Sequence, residues 1–160
     1  MKTIRVSTIL FFTLCYGCAD KSSNINLKNT KNMEEIAKQE IENVLMTYKE
    51  TLNTSNAEKA TSLYAKDGIF MPTGVPSAKG TEQIKGAYDF VFSQIQLNIE
   101  FFIEEIMVEE TFAYAVTSSK GSTLIHATKE TIPEENRELF VFINEDGIWK
   151  IARYMFNKTK

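Results

Sequence analysis

The sequence predicts an α+β domain in which N-terminal helices pack on a strongly curved antiparallel sheet, and three observations carry that reading. Apolar residues recur with helical spacing as far as Ile95, then alternate with polar ones from Leu97 onward. The closing stretch, Arg137 to Asn157, holds two runs rich in β-branched and aromatic residues around Asn144-Glu145-Asp146-Gly147, an antiparallel hairpin signal. Helices first and a meander afterwards is the segregated α+β pattern, and a sheet bent over helices leaves a conical cavity between the layers.

Both faces of the closing hairpin carry large apolar groups, so each face needs a cover. Which residues share a face depends on the turn, because a one-residue slip exchanges the two sides. With Asp146-Gly147 alone as a two-residue turn, Glu138, Phe140 and Phe142 join Trp149, Ile151 and Arg153. With a type I turn over Asn144 to Gly147 and Gly147 as a left-handed bulge, they join Ala152, Tyr154 and Phe156. Asn first and Gly fourth suit a type I turn, which favours the second arrangement and turns Trp149 and Arg153 outward.

The helices come in order. Asn32 with Glu35 starts a long amphipathic helix through Ile36, Ile41, Val44, Leu45, Tyr48 and Leu52. Ser55 with Glu58 caps a shorter one carrying Ala60, Leu63 and Tyr64, ending near Asp67-Gly68. Ile69-Phe70-Met71 is a short strand stopped by Pro72. After a loop marked by Gly74, Pro76 and Gly80, Ile84, Tyr88, Val91, Phe92 and Ile95 form a third helix.

The strands follow. Leu97, Ile99, Phe101 and Ile103 alternate with Gln96, Asn98, Glu100 and Phe102 along a strand exposing one face. Phe112 to Ile125 is the next, bent near Lys120-Gly121, and a polar loop from Lys129 to Asn136 with Pro133 leads to the hairpin.

At 160 residues the chain is one domain's worth, and 43% hydrophobic content supports a core. A formal net charge of −3 without a basic face argues against a nucleic-acid binder. Lys2 and Arg5 precede a short apolar run through Leu14, then Cys15-Tyr16-Gly17-Cys18. Residues 1–18 read as an export signal, too brief to span a membrane, with Gly17-Cys18 similar to a bacterial lipoprotein processing site and Cys18 the lipidated residue. The expected location is periplasmic or at the outer membrane or cell surface, held only by the lipid anchor. Residues 19–32, mostly polar, read as a flexible linker, leaving 33–160 as the folded domain. Both cysteines lie in the signal, so the domain has no disulfide or catalytic thiol.

Leu-Tyr-Ala-Lys-Asp-Gly-Ile-Phe-Met-Pro, Lys-Gly-Thr-Glu-Gln-Ile and the ending Asp-Gly-Ile-Trp-Lys-Ile-Ala-Arg-Tyr-Met-Phe-Asn resemble the nuclear transport factor 2-like superfamily, a cystatin-like cone. Within it the chain is most similar to the SnoaL-like and kinase-association-like group of small bacterial proteins, including the SgcJ/EcaC type, and it shares the cone fold of ketosteroid isomerase. Members run several chemistries or none, so the fold does not supply a function. The resemblance places Tyr48 where the isomerase holds its oxyanion-stabilising tyrosine, with Tyr64 at the family's spacing beyond it. It places Met71-Pro72 near that enzyme's general-base aspartate, and methionine cannot take a proton. Relatives often carry Asp at the position of Tyr154 and Trp at that of Phe156.

These readings set the candidate site. Glu138 among aromatic residues is the candidate base, with Tyr48 and Tyr154 stabilising an enolate-like oxygen; the competing expectation is a salt bridge from Glu138 to Arg137 or Arg153. Tyr64, Phe70, Met71, Tyr88, Phe92, Phe140 and Phe156 are the expected pocket lining, although such aromatics also form ordinary cores. His126 stands beside the polar loop and is expected at the surface. The pairs Glu104-Glu105 and Glu109-Glu110 lack calcium-loop spacing, and neither a metal nor another cofactor is expected. The expected function is binding of a small hydrophobic or aromatic ligand by a domain that dimerises through its sheet. The alternatives are a lyase or isomerase acting on a small hydrophobic carbonyl compound, and a structural dimerisation module whose cavity is filled.

Overall fold

The computed structural model describes residues 21–159, so the signal segment 1–18 and Cys18 lie outside the described residues. Helix α1 spans Lys21–Asn53, which begins inside the stretch expected to be a linker. Its inward side starts at Ala37 and runs through Ile41, Leu45, Tyr48 and Leu52, while Met33 and Ile36 are exposed. From residue 29 to Ile36 the helix is mostly exposed, and the Glu34–Lys38 ion pair at 2.7 Å links successive turns there.

Helix α2, Ala57–Ser62, is capped by Asn56, whose side chain accepts from the Lys59 amide, and not by Ser55, which takes φ 52° in the tight connection from α1. Tyr64 is not on this helix. It opens strand β1, Tyr64–Met71, longer than the short strand expected because its backbone pairs alongside β6. Strand β2 is Ala78–Lys79 and helix α3 Gly80–Gln94, with Ile84, Tyr88 and Phe92 buried at i, i+4 and i+8.

Strands β3 (Ile95–Val108), β4 (Phe112–Ile125), β5 (Thr131–Glu145) and β6 (Ile148–Lys158) complete an open six-stranded sheet in the order β2-β1-β6-β5-β4-β3. The sheet is not wholly antiparallel, since β1 and β6 run parallel. The polar stretch 131–136, expected as a loop, is the start of β5, paired with β4 from Thr131↔Leu124 to Asn136↔Ser119. Pro133 is tolerated there because β6 ends before reaching it, so its missing N–H faces an open edge.

The closing hairpin follows neither expected register throughout. Glu145 pairs with Ile148 around a two-residue turn whose Asp146 and Gly147 both have positive φ (53° and 85°), and the Gly147 amide donates to Asn144 Oδ1 at 2.8 Å. The bulge lies farther along. Phe142 pairs with Ile151 but Val141 with Arg153, so Ala152 is the extra residue. As a result Trp149 and Ile151 join Phe142 on the inner face, and Tyr154 and Phe156 join Phe140 and Glu138 on that same face. Trp149 is therefore buried, contrary to the expectation that it turns outward.

Gly121 lies opposite Ile99, where β3 approaches so closely that a Cβ would come 2.1 Å from the Asn98 carbonyl oxygen. Asn53, the last residue of α1, grips the β3 edge. Its amide donates to the Ile99 carbonyl at 2.8 Å and accepts from the Ile99 N–H at 2.8 Å. Among the described residues no helix is long and apolar enough to cross a membrane.

Candidate functional site

A cavity of about 220 Å³ lies between the helices and the inner face of the sheet. One wall is aromatic. The stack runs Phe92–Tyr88–Phe70–Tyr154–Phe140–Phe142, with successive ring centroids 5.6, 4.9, 5.5, 4.2 and 5.9 Å apart. Alternation along each strand and the i, i+4 spacing on α3 bring these rings into one layer.

Tyr48 meets the stack edge-on, 5.3 Å from Tyr154 and 5.6 Å from Phe140. Its hydroxyl bonds that of Tyr88 at 2.5 Å, and Tyr88 in turn bonds Tyr64 at 2.7 Å. Burial pushes the phenols of Tyr48, Tyr64, Tyr88 and Tyr154 well above their ordinary value. They therefore stay protonated and able to donate.

The other wall is polar. Glu134, Asn136 and Glu138 occupy alternate positions of β5, all buried and all lining the cavity, backed by Thr117, Ser119 and Thr123 of β4. Thr117 donates a short hydrogen bond to Glu138 Oε2. Burial raises the Glu138 carboxyl above its usual range, and the hydroxyls of Thr117, Ser119 and Tyr154 draw it partly back.

The expected salt bridge is absent. Arg137 is exposed on the outer side of β5, and the Arg153 guanidinium bonds the Asp67 and Ala152 carbonyls. Among the described residues no cation pairs with Glu138.

The structure brings the three candidate catalytic residues together: Glu138, Tyr48 and Tyr154 line one cavity, as do Phe70, Tyr88 and Phe156. Tyr64, Phe92 and Phe140 stand behind the wall in the core. Met71 does not contribute. It follows Phe70 in β1, so it points to the opposite face, where it pairs with Met155.

His126 is half-buried, its Nδ1 donating to the Ser93 carbonyl at 3.0 Å, outside the cavity. Glu104, Glu105, Glu109 and Glu110 are exposed. Among the described residues no three His, Cys, Asp or Glu side chains are grouped to hold a metal ion.

Glu134 and Asn136 were missed by the sequence reading, which placed them in a loop. The available signal was parity: 134, 136 and 138 continue the alternation of Phe140 and Phe142.

A curved sheet over helices, enclosing an aromatic cavity with one buried carboxylate lacking a cation, defines a cone-shaped protein of the nuclear transport factor 2-like superfamily. Residues 41–156 match the SnoaL-like domain, and the chain belongs to that family.

No curated protein sequence matches the chain. Among solved structures, a ketosteroid isomerase-like protein from Erwinia carotovora atroseptica is 25% identical, with 75% of this chain and 94% of that one covered and a TM-score of 0.72. A conserved protein from Planctomyces limnophilus is 18% identical, covering 78% and 98%, with a TM-score of 0.69. A hexachlorocyclohexane dehydrochlorinase is 11% identical, covering 81% and 90%, also at 0.69. The last two likenesses are of fold alone.

Proposed function

We propose that this protein is an exported domain that binds a small, mainly apolar ligand in its inner cavity. The observation that carries the reading is the cavity itself, about 220 Å³ between a stack of aromatic rings and a buried polar stripe. A filled structural module would have no such space, whereas an apolar chamber with a few convergent polar groups is the usual form of a small-molecule site.

Native mass spectrometry of the purified protein tests the reading through a co-purifying small molecule. A bare chain mass, together with no thermal shift from a panel of one- and two-ring compounds, would sink it.

A second reading is isomerase or lyase chemistry on a small hydrophobic carbonyl compound. It is favoured by Glu138, a buried carboxyl raised above its usual range by desolvation, and by the hydroxyls of Tyr48 and Tyr154 in the same cavity. The family resemblance puts a base near Met71, which faces outward, so the base in this reading is Glu138. Turnover would rise with pH as Glu138 ionises and fall by about 10²-fold or more in Glu138→Gln. An unchanged rate in that variant would exclude it.

The proposal includes lipid anchoring at Cys18 and pairing of two copies through the outer face of the sheet. That face exposes Leu139 and Met155. Cell fractionation of wild type against Cys18→Ala tests the anchor, with release into the soluble fraction as the expected result. Light scattering tests the pairing, and a monomer at high concentration would rule it out.

A further inference from the structure

Glu138 is 5% exposed, lines the cavity and pairs with no cation among the described residues. Its two carboxyl oxygens differ. Oε2 accepts the short hydrogen bond from Thr117 on β4. Oε1 is in hydrogen-bond geometry with no described residue, although the Ser119 and Tyr154 hydroxyls bear on the same carboxyl.

Nor is Oε1 sealed in. Among the described residues, Asn136 Oδ1 is the buried side-chain nitrogen or oxygen left without a partner, and Oε1 does not share that condition. An unbonded Oε1 therefore has open space in front of it. Beside a residue this buried, on the inner face of the sheet, that space is the cavity that Glu138 lines. The cavity is thus offered a carboxyl oxygen with free lone pairs.

The other charged groups on the wall leave it unmatched. They are Glu134 and Lys158, and Lys158 Nζ already binds Glu134 Oε2 at 3.1 Å. Two carboxyl side chains share the cavity with one engaged ammonium, and buried carboxylates are ordinarily paired. We propose that the cavity selects an organic ammonium ion, an apolar body carrying one protonated amine whose N–H donates to Glu138 Oε1. This rests on the binding reading above and not on the isomerase or lyase reading.

The surroundings favour a cation over other ligands. Burial, with a smaller push from Glu104, disfavours the ionised carboxyl, whereas the hydroxyls of Thr117, Ser119 and Tyr154 favour it. A cation at Oε1 offsets the burial and leaves those hydroxyls in place. An anion would instead add a third acidic group to Glu134 and Glu138. A ketone brings no donor for Oε1. An alcohol brings one, but a hydrogen bond between charged partners is the stronger. The apolar body lies between the aromatic wall and the aliphatic side chains of Leu52, Val91 and Leu97, which line the same space.

A two-ring probe suits the cavity, since one of about 150 Å³ holds benzene. Binding of 2-naphthylmethylammonium, 2-naphthylmethanol, 2-acetylnaphthalene and 2-naphthoate is measured by calorimetry on wild type and on Glu138→Gln, a near-isosteric change that cannot ionise. Wild type is expected to bind the ammonium about tenfold tighter than the alcohol or the ketone, and the carboxylate most weakly. In Glu138→Gln the ammonium should lose its lead, while the alcohol stays within about twofold of its wild-type affinity.

An alcohol, ketone or carboxylate that binds wild type as tightly as the ammonium does would overturn the proposal and leave the cavity reading standing. So would an ammonium preference that survives in Glu138→Gln, because the amine would then be held elsewhere. The wild-type ranking decides the matter even if the variant does not fold. Binding of none of the four would overturn the cavity reading, and the ammonium proposal with it.

Discussion

Glu138 lies opposite Phe156 on the inner face of the hairpin, although counting back from the Glu145–Ile148 turn would put Met155 there. The extra residue, Ala152, makes the difference, and it is what lets Trp149 and Tyr154 both be buried on one face. Inserting one alanine between Arg153 and Tyr154 would shift the rest of β6 by one residue and turn Tyr154 and Phe156 outward. Losing buried aromatic packing costs about 3–5 kcal/mol per side chain, enough to abolish cooperative folding of an ordinary domain. Circular dichroism melts check this; a sharp transition near that of wild type would show that β6 absorbs the slip without losing its buried rings.

Glu138 also imposes a pH dependence. Burial raises its carboxyl above the usual value, so the folded protein holds this proton more tightly than the unfolded chain does. Stability from this group is then fully present below the ordinary carboxylate value and is lost as pH rises through the raised one. Glu138→Gln cannot ionise. The variant should gain on wild type as pH rises through that window and lose the advantage in acid. Urea denaturation of both proteins across pH reads the difference, and a gap independent of pH would count against a buried, titrating carboxyl.

Tyr88 joins Tyr48 and Tyr64 through one hydroxyl, and its ring stacks on Phe70 and Phe92. Tyr88→Phe keeps the stack and removes the bridge, for an expected loss of about 1–3 kcal/mol. Tyr88→Ala removes both, with an expected loss of about 3–5 kcal/mol. Chemical denaturation should rank wild type, Phe and Ala in that order. A Phe variant as stable as wild type would mean that the hydroxyl chain contributes nothing net.

Gly121→Ala would drive a methyl group onto the backbone of β3, which cannot yield as a flexible side chain could. A loss of about 1–3 kcal/mol is expected, with faster amide exchange around Asn98 and Ile99. Unchanged exchange there would show that the strands separate without cost.

Local chemistry made the elements legible. The spacing of Ile41, Leu45, Tyr48 and Leu52 marks a helix face whatever it packs on, and the alternation from Leu97 to Ile103 marks a strand with one side in water. The resemblance carried by the Leu-Tyr-Ala-Lys-Asp-Gly and Trp-Lys-Ile-Ala-Arg elements placed the family and Tyr48, while the grouping of Glu138 with Tyr154 came from the hairpin.

Tertiary structure decided the rest, because it turns on partners far away in sequence. Parallel pairing with β6 drew Tyr64 out of the second helix and into β1. Pairing with β4 made strand of the polar residues 131–136, and so put Glu134 and Asn136 on the cavity wall. The bulge at Ala152 reconciled two registers that turn chemistry alone left as rivals, since only burial of Trp149 and Tyr154 on the same face requires both. The one-residue shift has no signature in the turn, and so the sequence named part of the cavity lining, while the packed sheet added Glu134 and Asn136 and determined which residues face each other.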